Sequence, residues 1–177
     1  REFLYLGLNR DEAGRQVFDG MLPHIGSSRR GEFNLRFGQP STNILRAPGN
    51  TYPFAFTPVP EPQLERNEGL LDRTLADGSM PKVVHVNSGM EYWWSGASLG
   101  HTTVDAARDV EPPPDVRIYY LAGSQHAPGS LPLSHTNAEG FRAMMPLNTL
   151  DYRPAMRALL TALDLWVREG IEPPPSR

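Results

Sequence analysis

The chain has 177 residues, of which 39% are hydrophobic and 21% charged, and its formal net charge is −3. That is the composition of a globular protein with an ordinary core, and the near-neutral balance gives no electrostatic case for nucleic acid or an anionic membrane as partner. Cysteine is absent, which excludes disulfides, thiolate catalysis and cysteine-ligated zinc.

The length fits one domain. No apolar run approaches the roughly 20 residues that a membrane span needs, and residues 1–30 do not read as a signal peptide. The basic residues are scattered arginines with a single lysine, Lys82. Eighteen prolines fall largely in blocks at Pro58, Pro60 and Pro62, at Pro112-Pro113-Pro114 and at Pro173-Pro174-Pro175. Each block removes backbone donors and disfavours helix before it, so these are read as loops or element boundaries.

The first residue is Arg, and Phe3-Leu4-Tyr5-Leu6 begins with no capping residue in front of it, so the sequence is expected to start inside a helix that ends near Gly7-Leu8-Asn9. Val17 to Leu22 is a short apolar run that fits a buried strand. Residues 27–80 are poor in periodicity and rich in Gly, Pro, Asn and Arg. That is too long for a simple connection, so a lid-like excursion is predicted there, with one short helix around Gln63 to Leu75. Regular structure resumes at Pro81 to Asn87, a β-branched strand ended by Ser88-Gly89. A partly helical segment follows through Trp93-Trp94 to Val110. Val116 to Ala122 is a second strand, closed by Gly123. From Tyr152 to Glu169, Met156, Leu159, Leu160, Leu163, Trp166 and Val167 recur at helical spacing. Asp151 stands where a cap is wanted, Pro154 lies in the first turn and Gly170 supplies the stop.

Strand, helical segment, strand and amphipathic helix make a parallel sheet covered by helices. Chemistry in such sheets gathers in the loops at the carboxyl ends of the strands. Those loops contain Glu91 in Ser88-Gly89-Met90-Glu91-Tyr92-Trp93 and His126 in Gly123-Ser124-Gln125-His126-Ala127-Pro128-Gly129. A carboxylate after one strand and a histidine after the next suit a hydrolytic triad, in which the imidazole takes a proton and the acid holds its tautomer. The plainer reading makes His126 a polar loop residue and Glu91 a solvated one. Other candidates carry less. Gly96-Ala97-Ser98-Leu99-Gly100 satisfies the G-x-S-x-G elbow pattern, but only 28 residues separate Ser98 from His126, too few for the strand–helix units between nucleophile and base. His101 and Asp105 would share a helical face, yet two ligands do not close a metal site. His24, His85 and His135 have no companions at useful spacing. Trp93 and Trp94 are read as core or as the wall of an acyl pocket.

Arg1-Glu2-Phe3-Leu4-Tyr5-Leu6-Gly7-Leu8-Asn9 with Asp11-Glu12 and Phe18-Asp19-Gly20 resembles a family of α/β-hydrolase-domain proteins. Pro81-Lys82, Ser88 with Glu91-Tyr92-Trp93, Ala97-Ser98-Leu99 with His101-Thr102, Gln125-His126, and Trp166-Val167 before Gly170 extend the resemblance over nearly the whole chain. One departure is Thr103, where the resemblance leads to an aspartate. The resemblance implies Glu91 as acid and His126 as base, in the order nucleophile, acid, histidine of that fold. It also implies that the serine, on a Ser-Gln-Ser-Gly-type turn, lies just before the segment matching residues 1–9. Residues 1–177 are therefore expected to be the C-terminal portion of an α/β-hydrolase, a single partial domain containing the excursion 27–80. The missing N-terminal half of the same fold would be its partner and a small ester-like molecule the substrate, with no metal or organic cofactor and no activity of the chain alone. A non-catalytic binding or scaffold domain that keeps the hydrolase shape is the alternative.

Overall fold

A computed structural model describes residues 1–31, 51–138, 140 and 142–176. Its centre is a parallel sheet of β1 (Gly20–Met21), β4 (Lys82–Ser88) and β5 (Val116–Leu121), in the order β1-β4-β5. The middle strand is the apolar one. Val83, Val84 and Val86 have no exposure at all, as a strand covered on both faces requires, and its β-branched residues suit the pleated surface. β4 and β5 pair from Val83–Val116 to Ser88–Leu121. Both strands therefore release their loops at the same end of the sheet.

Alternate residues of the strands feed opposite faces. On one face Val83 and Val116 pack with Leu4, Phe56, Leu70 and Leu71, which come from α1 (Glu2–Leu6) and from the segment leading into α2 (Asp72–Ala76). Gly7, with φ of 68°, ends α1 in the left-handed conformation that glycine adopts without strain. On the other face Val84, Val86 and Tyr119 pack against Leu163 and Trp166 of the last helix, which spans Arg153–Glu169. The predicted stripe of that helix holds with one difference: Leu160, at its margin, is 58% exposed. The predicted cap also differs. Tyr152 occupies the cap position, and Asp151 instead accepts the Arg153 amide at 3.0 Å and pairs with the Arg153 guanidinium.

The expected excursion 27–80 falls partly on residues 32–50, which lie outside the described residues. Its described remainder forms an antiparallel hairpin of β2 (Val59–Glu61) and β3 (Arg66–Glu68), followed by α2. The single predicted helix around Gln63 to Leu75 is thus shifted toward Ala76 and preceded by strands. The hairpin segment is tied inward. Tyr52 donates its hydroxyl to the Val59 carbonyl at 2.6 Å, and the buried Arg30–Glu2 ion pair, at 2.6 Å, joins α1 to residues whose guanidinium also reaches the Tyr52 carbonyl.

Trp166 closes the second face between two cations, with Lys82 Nζ 5.0 Å and the Arg117 guanidinium 4.8 Å from its ring centre. Such contacts add to the burial of a large apolar ring. Trp166→Ala should therefore cost about 3–5 kcal/mol of stability in urea unfolding. Leu160→Ala, six residues earlier on the exposed margin, should cost under about 1 kcal/mol.

Candidate active site

The site begins where β4 ends. Ser88 leaves the strand in extended conformation and caps α3 (Gly89–Trp94) through a reciprocal capping box with Glu91. In a box of this kind the serine and the acid three residues on satisfy each other's backbone donors. Here the acid is nearly sealed: Glu91 is 3% exposed. Its Oε2 accepts the Ser88 amide at 3.0 Å and also the Ser88 hydroxyl, which leaves Oε1 free to face outward. Oε1 lies 2.6 Å from His126 Nδ1.

Burial alone pushes the Glu91 carboxyl upward, but the bonds from the Ser88 hydroxyl, His126 and the Ser88 amide outweigh it, and its pKa is lowered. The carboxylate is thus an acceptor only, so in the neutral imidazole it selects the tautomer with the proton on Nδ1 and the lone pair on Nε2. Half of the His126 side chain is exposed. Among the described residues no group is hydrogen-bonded to Nε2, which leaves it free to take a proton.

Backbone and side chains hold the imidazole in this place. The Gly89 amide donates to the Ser124 carbonyl at 2.9 Å, tying the acid's helix to the histidine's loop. A Cβ at Gly89 would sit 2.8 Å from that carbonyl oxygen, so only glycine allows the approach. Tyr152 donates its hydroxyl to the His126 carbonyl at 2.6 Å. Asn148 fastens the loop from outside, donating to the Gly123 carbonyl at 2.6 Å and exchanging two bonds with the Gln125 side chain.

The two residues singled out in the loops after the strands are therefore neighbours, and several residues around them went unread. Ser88 and Glu91 carry the S-x-x-E spacing of a capping box, a signal present in the sequence. Tyr152 and Asn148 carry none. His24, set aside for want of companions, stands edge-on to Tyr152 with ring centres 5.2 Å apart. Its backbone pairs with Val86, whose amide donates to the Pro23 carbonyl and whose carbonyl accepts the Ile25 amide. His24 Nε2 is buried without a hydrogen-bond partner. Burial lowers its pKa below 6.5, Glu91 opposing and His126 reinforcing that shift, so a second, neutral imidazole stands in the field of the pair.

The remaining candidates lie elsewhere. Ser98 sits on a 3-10 turn, Ala97–Gly100, preceded by helix α3 and not by a strand, so the elbow geometry is absent. Asp105 accepts from Thr103 Oγ1 and the Ala107 amide, while His101 Nε2 is hydrogen-bonded to the Tyr92 hydroxyl at 3.0 Å; they do not act as a ligand pair. No group of three or more His, Asp or Glu among the described residues is arranged to hold a metal ion. His85 is buried against Phe56, and His135 is exposed. Trp93 and Trp94 are not core: they are 82% and 63% exposed.

A family model described as an alpha/beta hydrolase domain matches residues 2–177. No curated protein and no solved structure matches the chain.

Ser88→Ala removes one of the donors on a buried carboxylate and should cost roughly 1.5–3 kcal/mol in thermal or urea unfolding. Because the folded pKa of Glu91 is depressed, its contribution is fully present above the ordinary value of 4.5 and is lost as pH falls through the folded value. The melting-temperature gap between the wild type and Glu91→Gln should accordingly be widest above about pH 5 and close on further acidification.

Proposed function

The chain belongs to the alpha/beta hydrolase domain family, and from that premise we propose that it supplies the acid and the base of a serine hydrolase acting on an ester or similar acyl bond. The observation that carries this reading is the 2.6 Å contact between His126 Nδ1 and Glu91 Oε1, with no hydrogen bond to Nε2 among the described residues. In the proposed cycle a serine Oγ attacks the acyl carbon while its proton passes to His126 Nε2. Glu91 stabilises the resulting imidazolium and holds the ring in register. The imidazolium then gives its proton to the leaving alcohol as the C–O bond breaks. Water repeats the sequence on the acyl-serine. Backbone N–H groups at the nucleophile elbow would stabilise the oxyanion.

The resemblance supports an elbow directly before the segment that forms α1. The attacking serine is accordingly assigned outside residues 1–177, and the chain alone is expected to be inactive. The N-terminal part of the same fold is thus its working partner, and the substrate a small acyl compound. Ser98 is not proposed as nucleophile, since a helix and not a strand leads into it.

Fluorophosphonate labelling of the full-length protein tests the assignment. His126→Ala should slow labelling by about 10²–10⁴-fold, the usual weight of a general base. Glu91→Gln should also slow it strongly, because an amide that donates to Nδ1 turns the ring proton onto Nε2. Peptide mapping should find the label on a serine outside residues 1–177. Absent labelling of the wild type would count instead for a binding domain in the hydrolase shape. Labelling that ignores His126→Ala would remove the base from the scheme.

A further inference from the structure

A groove of about 340 Å³ is lined by Tyr92 of α3, by residues of β5 and by the loop 101–112. Its volume lies in the range of small-molecule sites. Neither Glu91 nor His126 is among the residues that line it. Its floor is Ile118, on the sheet face away from the last helix, with the buried side chain of Asn87 beside it.

The walls have a distinct chemistry. Three rings stand in a row: Tyr92 stacks on His101 with centres 5.7 Å apart and 26° between planes, and tilts against Tyr120 at 4.7 Å. The Tyr92 hydroxyl is hydrogen-bonded to His101 Nε2, so this part of the wall is fixed before any ligand arrives. The lining also holds two exposed carboxylates, Asp109 and Glu111, with Asp109 Oδ1 4.0 Å from His101 Nδ1, and no lysine or arginine lines the groove among the described residues. Burial raises the Tyr92 pKa, and Tyr120 and Asp109 push it the same way.

We propose that this groove binds a small organic cation of the alkylammonium class, its methyl or methylene shell against the ring faces and its charge balanced by Asp109 and Glu111. Ring faces attract a cation through their quadrupole, and nearby carboxylates stabilise it further. A neutral ligand of the same shape would gain nothing from those carboxylates. A bare metal ion is not favoured by rings, and among the described residues no three His, Asp or Glu side chains are grouped to hold one. The site is independent of the acyl chemistry proposed above, and its test does not use activity.

Choline and its neutral isostere 3,3-dimethylbutan-1-ol serve as probes, titrated into the full-length protein at constant ionic strength. The reporters are the ring resonances of Tyr92, His101 and Tyr120. Choline should shift all three saturably, and the isostere should bind at least about tenfold more weakly. Asp109→Asn combined with Glu111→Gln, both surface changes that leave the rings in place, should weaken choline by about tenfold or more. Equal binding of the isostere, indifference to the double substitution, the absence of saturation, or shifts confined to Glu91 and His126 would each overturn the proposal.

Discussion

Glu91 is a carboxylate almost without access to water, and what makes its burial tolerable is the serine three residues before it. An ionised carboxylate in such a place is costly unless several donors face it. Ser88 supplies two, from backbone and hydroxyl, and His126 a third. The same serine ends the central strand and starts the next helix. Strand termination, helix capping and the aim of the acid are thus one interaction, and the position of the imidazole follows from it.

The central strand explains why this interaction can be so exact. Both faces of β4 are packed, so its last residue has little freedom, and the parallel register with β5 delivers the histidine loop to the same end. Gly89 lets that loop's carbonyl come within bonding distance of the helix amide. Tyr152, at the start of the last helix, holds the histidine's own carbonyl. Each of the packed layers therefore contributes one restraint, and rigid supports of this kind keep a reactive geometry.

Much of this frame was legible in the chain itself. β4 and β5 stand out because Val83 to Val86 and Val116 to Tyr120 are rich in β-branched and aromatic residues and lie between turn residues. The last helix stands out because its apolar residues recur at 3.6-residue spacing. Glu91 and His126 were found by asking which titratable groups follow the two strands. Legibility stopped where the signal was tertiary. Arg66-Asn67-Glu68 has no strand-like alternation, and its pairing with a proline-bearing partner comes from packing against Tyr52. His24 has no local pattern, and only the sheet register brings it beside Tyr152. Trp93 and Trp94 look like core from composition yet face solvent, because the α3 residues that turn inward are Glu91 and Tyr92.

Asn148 joins Gly123 and Gln125 by three hydrogen bonds and thereby closes the stretch of chain between them into a ring. The position of His126 is settled at the neck of that ring, and so the residues farther out, including the exposed Leu131, Leu133, Met144 and Met145, are relieved of any duty toward it. Insertions, deletions or wholesale replacement there would change that exposed apolar surface while the imidazole stays put.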